Sequence, residues 1–369
     1  MLNQYSRTEL LKSVLVFGDS NTWGLIPGSD PAERYPQDVR WAGRLQSRCP
    51  DVRFSEDGVC GRTIAHEDAV RPNRNGLVAL RTRLKTEPTP DAAIVMLGTN
   101  DCKACYTLSA PQIAEDMRAL LRVLESYVPA NRILLIAPPL LGADVWKSEK
   151  DPEFDQRSVR TCRALTEEYQ KIAQEYGTAF LAAADHVTVS AVDDEHLNAD
   201  GHRKLSDAAL RLLVEMQIVQ PCTVRETEDF YALSVFFREN GLGVLIEKEK
   251  PERILKMWRL EDTLTGELLA CVTLEKRGGV YTLGDIAVKT EMRGKGYGAV
   301  LQQTVFREAR RMDIRTIWAC AKEPDYYLRH GWQEADWDSS PDIAVYCATC
   351  AKHGVVCRPK KMKKELDEA

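Results

Sequence analysis

A serine delivered by a strand is the first chemical feature of the sequence. The apolar run Val14-Leu15-Val16-Phe17 stops at Gly18-Asp19-Ser20, and the polar residues Asn21 and Thr22 follow. Open α/β sheets place their sites beyond the carboxyl ends of the strands, so Ser20 stands where a nucleophile could act. A serine hydroxyl at its ordinary pKa needs an adjacent base. Asp193 and His196 lie three residues apart in Asp193-Asp194-Glu195-His196. On a turn, that spacing lets the carboxylate accept a hydrogen bond from one ring nitrogen while the other faces the site. Simpler roles compete: Ser20 also suits a helix cap, Asn100 in Gly98-Thr99-Asn100-Asp101 suits a turn, and His202 competes with His196 but falls on a helical pattern.

Two further groups carry possible chemistry. Arg293-Gly294-Lys295-Gly296-Tyr297-Gly298 precedes a long helical pattern. A glycine-rich turn opening a helix presents free N–H groups and a positive dipole end to an anion. Its spacing matches neither G-x-x-x-x-G-K-[ST] nor G-x-G-x-x-G. Cys347-x-x-Cys350-x-x-His353-x-x-x-Cys357 offers three thiolates and an imidazole, the donor set of a tetrahedral zinc site. All four lie within eleven residues without a distant second pair, so an accessory packing element is the alternative. Cys102 and Cys105 form a C-x-x-C without redox context and are read as incidental.

These groups need elements to position them. Strands are expected over 13–17, 52–54, 91–97, 132–137 and 179–182, and helices over 41–48, 76–85, 110–128, 157–176 and 200–216. In 110–128 the apolar residues Ile113, Met117, Leu120, Leu121 and Leu124 recur at helical spacing. Such alternation implies a parallel sheet covered on both faces, with right-handed crossovers. The segments after Phe17, at Gly61 and after Leu97 then meet on one rim. The last helical pattern stops at Pro221, and a fresh strand and helix pattern starts at Thr223. For 369 residues, at roughly 150 per domain, this divides the chain into 1–219 and 223–369. The second half reads as a helix over 230–239, strands over 256–260, 268–275 and 280–288 with a turn at Gly278-Gly279, a helix over 299–312 and a strand over 315–321.

Composition excludes several classes. With 44% hydrophobic and 28% charged residues the chain is an ordinary globular one. A net charge of −5 makes no case for nucleic acid. The basic run from Arg358 to Lys364 is followed at once by acidic residues and reads as a solvated terminus. No stretch reaches the roughly 18 apolar residues of a membrane span, and residues 1–7 lack a signal pattern. Eleven cysteines, an odd number and mostly scattered, fit a reducing, cytoplasmic setting.

Taken in order, Gly18-Asp19-Ser20, Gly61 within Cys60-Gly61-Arg62-Thr63, Gly98-Thr99-Asn100-Asp101 and Asp193-x-x-His196 resemble the SGNH (GDSL-type) ester hydrolases over about residues 12–215. Asn21-Thr22-Trp23-Gly24, Arg34-Tyr35-Pro36, Arg40-Trp41 and Asn75-Gly76-Leu77 are similar to the arylesterase and acyltransferase branch of that family. The resemblance implies a flavodoxin-like three-layer sandwich with a parallel sheet. It implies Ser20 as nucleophile, His196 as base and then acid, and Asp193 as the group that fixes the imidazole. The amides of Ser20 and Gly61 and the side-chain amide of Asn100 would form the oxyanion hole. Small acyl esters, acetyl esters foremost, would be the substrates.

Arg293-x-x-Gly296-x-Gly298, the preceding Asp285-Ile286-Ala287-Val288 and the later Tyr326-Tyr327-x-x-x-Gly331-Trp332 resemble the GNAT acetyltransferases over about residues 223–340. The resemblance implies an α+β domain that takes acetyl-CoA as co-substrate. Val288 would bind the cofactor, the amides of Arg293, Gly294, Lys295, Gly296, Tyr297 and Gly298 would hold its pyrophosphate, and Tyr327 would protonate the departing thiolate. It identifies no general base; Asp285 is a candidate, with a structural carboxylate as the competing reading. The whole would be a serine ester hydrolase fused to an N-acetyltransferase, with small-molecule ester and amine substrates. The alternative makes one domain a non-catalytic ligand-binding or acetyl-CoA-sensing module. The arylesterase-like branch often forms oligomers, which a C-terminal fusion could block.

Overall fold

The protein's computed structural model describes residues 13–30, 33–344, 354 and 357–366. The chain divides into two compact units, one spanning Glu9–Gln220 and the other containing Pro221–Ala369.

In the first unit the elements alternate: β1 (Ser13–Gly18), α1 (Ser20–Trp23), α2 (Trp41–Arg48), β2 (Arg53–Gly58), α3 (Gly76–Thr86), β3 (Ala92–Met96), α4 (Ala110–Glu125), β4 (Ile133–Ala137), α5 (Gln156–Tyr176), β5 (Ala179–Ala182) and α6 (Ala199–Glu215). The five strands run in parallel in the order β2-β1-β3-β4-β5. Because strand side chains alternate, each strand serves two cores. Leu15, Phe17, Val95 and Leu135 pack with α3, α4 and α5. Val14, Val16, Ile94 and Ile136 pack with α2 and α6 on the other face. The result is the three-layer parallel sandwich expected from the sequence. Strand order reverses at β1, whose neighbours are β2 and β3; the crevice beyond such a switch point is where open sheets hold ligands.

Helix starts are fixed by side chains that take otherwise unpaired N–H groups. Asn75 accepts from the Val78 amide at 3.1 Å, Asp155 from Ser158 at 2.7 Å, and Asn198 from Gly201 at 2.9 Å. His202 is a core residue of α6. Its Nδ1 faces the Trp41 amide at 3.4 Å, and burial, followed by the Arg40 charge, pushes its pKa down to about 3.

The second unit contains β6 (Cys222–Glu226), α7 (Phe230–Glu239), β7 (Ile254–Asp262), β8 (Leu268–Arg277), β9 (Val280–Val288), α8 (Tyr297–Arg311), β10 (Thr316–Ala321), α9 (Pro324–Arg329), β11 (Gln333–Ala335) and β12 (Lys360–Glu365). Its sheet has the order β11-β12-β10-β9-β8-β7-β6, with only β9 and β10 parallel. Leu301, Val305 and Phe306 of α8 pack on one face and Phe230, Leu233 and Phe237 of α7 on the other.

The basic run is not a solvated terminus. Lys360–Glu365 is a strand between β10 and β11, with Met362 fully buried. Lys361 is buried along its stem and keeps its charge bonded, donating to the Trp337 carbonyl at 2.8 Å, while the exposed Lys360 pairs with Glu334 at 2.6 Å. Among the described residues no helix is long and apolar enough to cross a membrane.

The carboxyl end of β3 is anchored by Tyr169 of α5, whose hydroxyl donates to the Leu97 carbonyl at 3.0 Å in a fully buried setting. Gly98 follows with φ +125°, and a Cβ there would come within 2.6 Å of the Tyr169 hydroxyl. Tyr169→Phe strands that carbonyl, so chemical denaturation should show a loss of about 1–3 kcal/mol; unchanged stability would mean that β3 ends without this tie.

Candidate active site

Ser20 is presented by a sharp change of direction. Gly18 ends β1 with no space for a side chain, because a Cβ would lie 2.1 Å from Thr22 Oγ1 and 2.9 Å from the Met96 carbonyl. Asp19 then caps α1, accepting the Asn21 amide at 3.0 Å, and Gly24 ends that single turn with φ +88°. The Asn21 side chain reaches the second segment: its oxygen accepts the Leu197 amide at 2.9 Å and its nitrogen donates to the Glu195 carbonyl at 3.3 Å. His196 sits between those two contacts.

The loop carrying His196 is organised by one carboxylate. Asp193 Oδ1 accepts the amides of Glu195 at 3.1 Å and His196 at 3.0 Å, while Oδ2 accepts the Gly28 amide at 3.0 Å. Oδ2 also lies 2.8 Å from His196 Nδ1, and His196 Nε2 lies 2.9 Å from Ser20 Oγ. An ionised carboxylate only accepts hydrogen bonds, so in the neutral imidazole Nδ1 carries the proton and Nε2 is left to take one from Ser20. Asp194 turns the loop with φ +58° and is held by Lys150 at 2.5 Å and the Gly142 amide, which donates to its carbonyl at 2.8 Å.

Gly61 and Asn100 reach the same rim. Gly61 has φ +78°, and among the described residues no acceptor takes its N–H. Asn100 is buried and spends one amide hydrogen on the Arg62 carbonyl at 3.2 Å, leaving the other free. Two supporting residues lie inside the quoted motifs but have no assigned role from sequence. Buried Arg62 joins strand ends, donating to the Gly18 carbonyl at 3.0 Å and pairing with Asp57 at 2.7 Å. Asp101 accepts the Ile64 amide at 2.9 Å, and burial pushes its pKa up to about 7.

Charge in the site is predominantly acidic. Burial raises the Asp19 carboxyl to about 6, against the opposing Asn21 amide. For Asp193, burial is outweighed by the His196 hydrogen bond and charge, and its pKa falls below the ordinary value. Burial alone would lower the His196 pKa, but the charge of Glu195 and then the hydrogen bond and charge of Asp193 raise it to about 9. The Cys102 thiol is buried and contacts the Gly98 carbonyl at 3.3 Å, and Cys105 is exposed; both are free.

In the second unit the glycine-rich segment leads into the first turn of α8. Gly294 and Gly296 have φ +81° and +84°, and Gly296 caps the helix, so Tyr297 and Gly298 present the unpaired N–H groups of its start. Arg293 is spent inside the loop, donating to the Asn240 carbonyl at 2.8 Å and to that of Val288 at 3.3 Å. β9 and β10 share one register position, Trp318 with Thr282, so the sheet is open from there toward Val288 and the loop. The Tyr327 ring is buried edge-on against Trp332 and Tyr326, and burial raises its hydroxyl pKa. Tyr326, a residue without an assigned role from sequence, lies closer to the loop: a Cβ on Gly298 would meet its hydroxyl at 2.7 Å. Asp285 is buried 3.4 Å from Arg277, with its pKa raised by burial.

Of the expected zinc ligands, Cys347, Cys350 and His353 lie outside the described residues, and Cys357 is a half-buried free thiol. Among the described residues no cluster of three or more His, Cys, Asp or Glu is placed to hold a metal ion.

The model of the GDSL-like Lipase/Acylhydrolase family matches residues 16–204, and that of the Acetyltransferase (GNAT) family matches residues 216–332. Among solved structures, Est24, a carbohydrate acetylesterase from Sinorhizobium meliloti, is 30% identical, covers 56% of this chain and 99% of its own, and has a TM-score of 0.50. The native aryl esterase of M. smegmatis is 29% identical with the same coverages and a TM-score of 0.51. No curated protein matches the chain.

The geometry around His196 sets a titration. Its imidazole should titrate near 9 by NMR in the folded protein, and Asp193→Asn should move it down. Since the folded value lies above the ordinary 6.5, the stability it contributes is full below about 6.5 and is lost as pH rises toward 9. A midpoint near 6.5 in the unaltered protein would mean that Glu195 and Asp193 do not hold the imidazole in its charged form.

Proposed function

This chain belongs to the GDSL-like lipase/acylhydrolase family and carries a GNAT acetyltransferase domain, and from that premise we propose a two-domain enzyme that hydrolyses small acyl esters, acetyl esters foremost, in its first domain and transfers acetyl from acetyl-CoA to an amine in its second. The observation that carries the first half is the continuous hydrogen-bonded line from Asp193 through His196 to Ser20, at 2.8 and 2.9 Å.

In the proposed reaction Ser20 Oγ attacks the ester carbonyl as His196 Nε2 removes its proton. The Ser20 and Gly61 amides and the free hydrogen of Asn100 receive the oxyanion. Collapse expels the alcohol, which takes the proton from His196 and leaves an acyl-serine. Water then repeats the sequence, with His196 as base, and releases the acid. Asp193 holds Nδ1–H throughout, so that Nε2 meets Ser20 as an acceptor and the imidazolium is stabilised. The carbohydrate acetylesterase among the similar structures favours a small acyl group.

In the second domain, acetyl-CoA supplies the acetyl group. The amides of Arg293 to Gly298 hold its pyrophosphate in the proposed binding mode, beside the open edge at Val288, and Tyr327 returns a proton to the thiolate. The Arg277 contact of Asp285 leaves the identity of the base unassigned, and this favours acetyl-CoA sensing as the second reading for this domain.

Two measurements test these halves. Ser20→Ala should lower p-nitrophenyl acetate turnover by at least about 10³-fold, and Asn100→Ala by about 10²–10³-fold; retained turnover in Ser20→Ala would refute the nucleophile. Acetyl-CoA should raise the thermal midpoint of the full chain, and Gly296→Glu, which places a bulky anion in the loop, should abolish that shift. A shift without acetyl transfer to any of a panel of amines would select the sensing reading.

A further inference from the structure

Glu195 has no role in the reaction above, yet it is one of the charges nearest to it. Its backbone belongs to the scaffold, the amide donating to Asp193 and the carbonyl accepting from Asn21. Its side chain does something else. Oε1 lies 3.8 Å from His196 Nε2, the same nitrogen that faces Ser20, and the side chain is only 7% exposed. Among the described residues no hydrogen-bond donor reaches the carboxylate. Lys103, a cation that acts on it electrostatically, is bonded to Glu153 and lies over the Phe154 ring. Burial raises the Glu195 pKa, and the nearby Cys60 thiol is raised by burial and by the charges of Asp19 and Glu195.

A carboxyl this deep keeps its charge only beside an opposite one and otherwise takes up a proton. Protonated His196 supplies one, but attack by Ser20 requires His196 to be neutral. At that moment the carboxylate faces the reacting centre unpaired, and its charge opposes the oxyanion about to form. The direction of proton flow says where compensation must come from. Nε2 returns its proton to the leaving oxygen, so the alcohol portion of the ester lies beside Nε2, the nitrogen that the Glu195 carboxylate also faces at 3.8 Å.

We propose that Glu195 is a specificity-determining residue that makes the ester site select acyl esters of amino alcohols, pairing with an ammonium group carried a short distance from the ester oxygen. The cation replaces the charge that His196 gives up on becoming a base. The proposal rests on the ester-hydrolase reading of the first domain. It also gives the two domains a common chemistry, because a released amino alcohol carries the kind of nucleophile an N-acetyltransferase consumes.

The test compares initial rates of acetate release from 2-aminoethyl acetate and propyl acetate, which match in size and differ in charge, with p-nitrophenyl acetate as neutral reference. In the unaltered full chain, kcat/KM for the ammonium ester should exceed that for propyl acetate by roughly tenfold or more. The ratio should fall to about one in Glu195→Gln and Glu195→Val. Because the ratio is taken within each protein, any loss of folded enzyme cancels. A ratio of one or below in the unaltered protein overturns the proposal. So does a ratio unchanged in Glu195→Gln, or failure to turn over the ammonium ester by protein that hydrolyses p-nitrophenyl acetate. Persistence of p-nitrophenyl acetate turnover in Ser20→Ala would instead bring down the underlying reading, a result separable from the others.

Discussion

The side-chain amide of Asn21 is the contact on which the arrangement of the first domain turns. Ser20 and His196 are 176 positions apart in the chain, yet their side chains meet at 2.9 Å. Sheet packing brings the two segments to the same rim but does not set a hydrogen-bond distance. Asn21 does so by bonding the residues on either side of His196, one through its oxygen and one through its nitrogen. An aspartate would lose the donor and a leucine both bonds. The loop also cannot slide without unmaking the contact between Asp193 and the Gly28 amide, while the bonds of Asp193 to its own amides keep the loop rigid. Two short polar side chains thus convert a coarse topological proximity into a fixed line of atoms.

Much of this arrangement is legible in the chain itself. The strands of the first sheet are short apolar runs and its helices have strong periodicity, so their order and three-layer arrangement follow from hydrophobic pattern. Asp193 and His196 share a turn, where sequence spacing translates directly into distance. Arg62 and Glu195 are not legible in the same way. Arg62 acts through its guanidinium on Gly18 and Asp57, partners set by tertiary folding. Glu195 looks like any loop carboxylate until its burial beside His196 is known. The expected strand at 52–54 extends over Arg53–Gly58 because pairing with β1 continues past the apolar residues into Ser55, Glu56 and Asp57. The Lys360–Glu365 strand escapes notice for a related reason: its core contribution is a single methionine, and its lysines read as solvent-facing until the carbonyls they bond are in place.

The second domain shows how one residue type is used differently from what its motif suggests. The arginine of the glycine-rich loop is the obvious cation for an anionic ligand, yet its guanidinium bonds two backbone carbonyls and braces the loop. In the proposed binding mode anion recognition falls to N–H groups at a helix start, which are fixed in direction by two left-handed glycines. The tyrosine pair divides similarly, with one ring in the core against Trp332 and the other hydroxyl against Gly298.

The placement of Lys360–Glu365 also bears on how the chain emerges during synthesis. β11 is made before β12 but touches the rest of the sheet only through it. An earlier segment must therefore wait, unpaired, for a later one to slot between it and β10. Sequence-distant pairing of this sort is slow and leaves a strand edge uncovered in the interval. For this domain, vectorial growth and spatial order run in opposite directions at the sheet's final edge, and its completion is a step of assembly on the ribosome's far side.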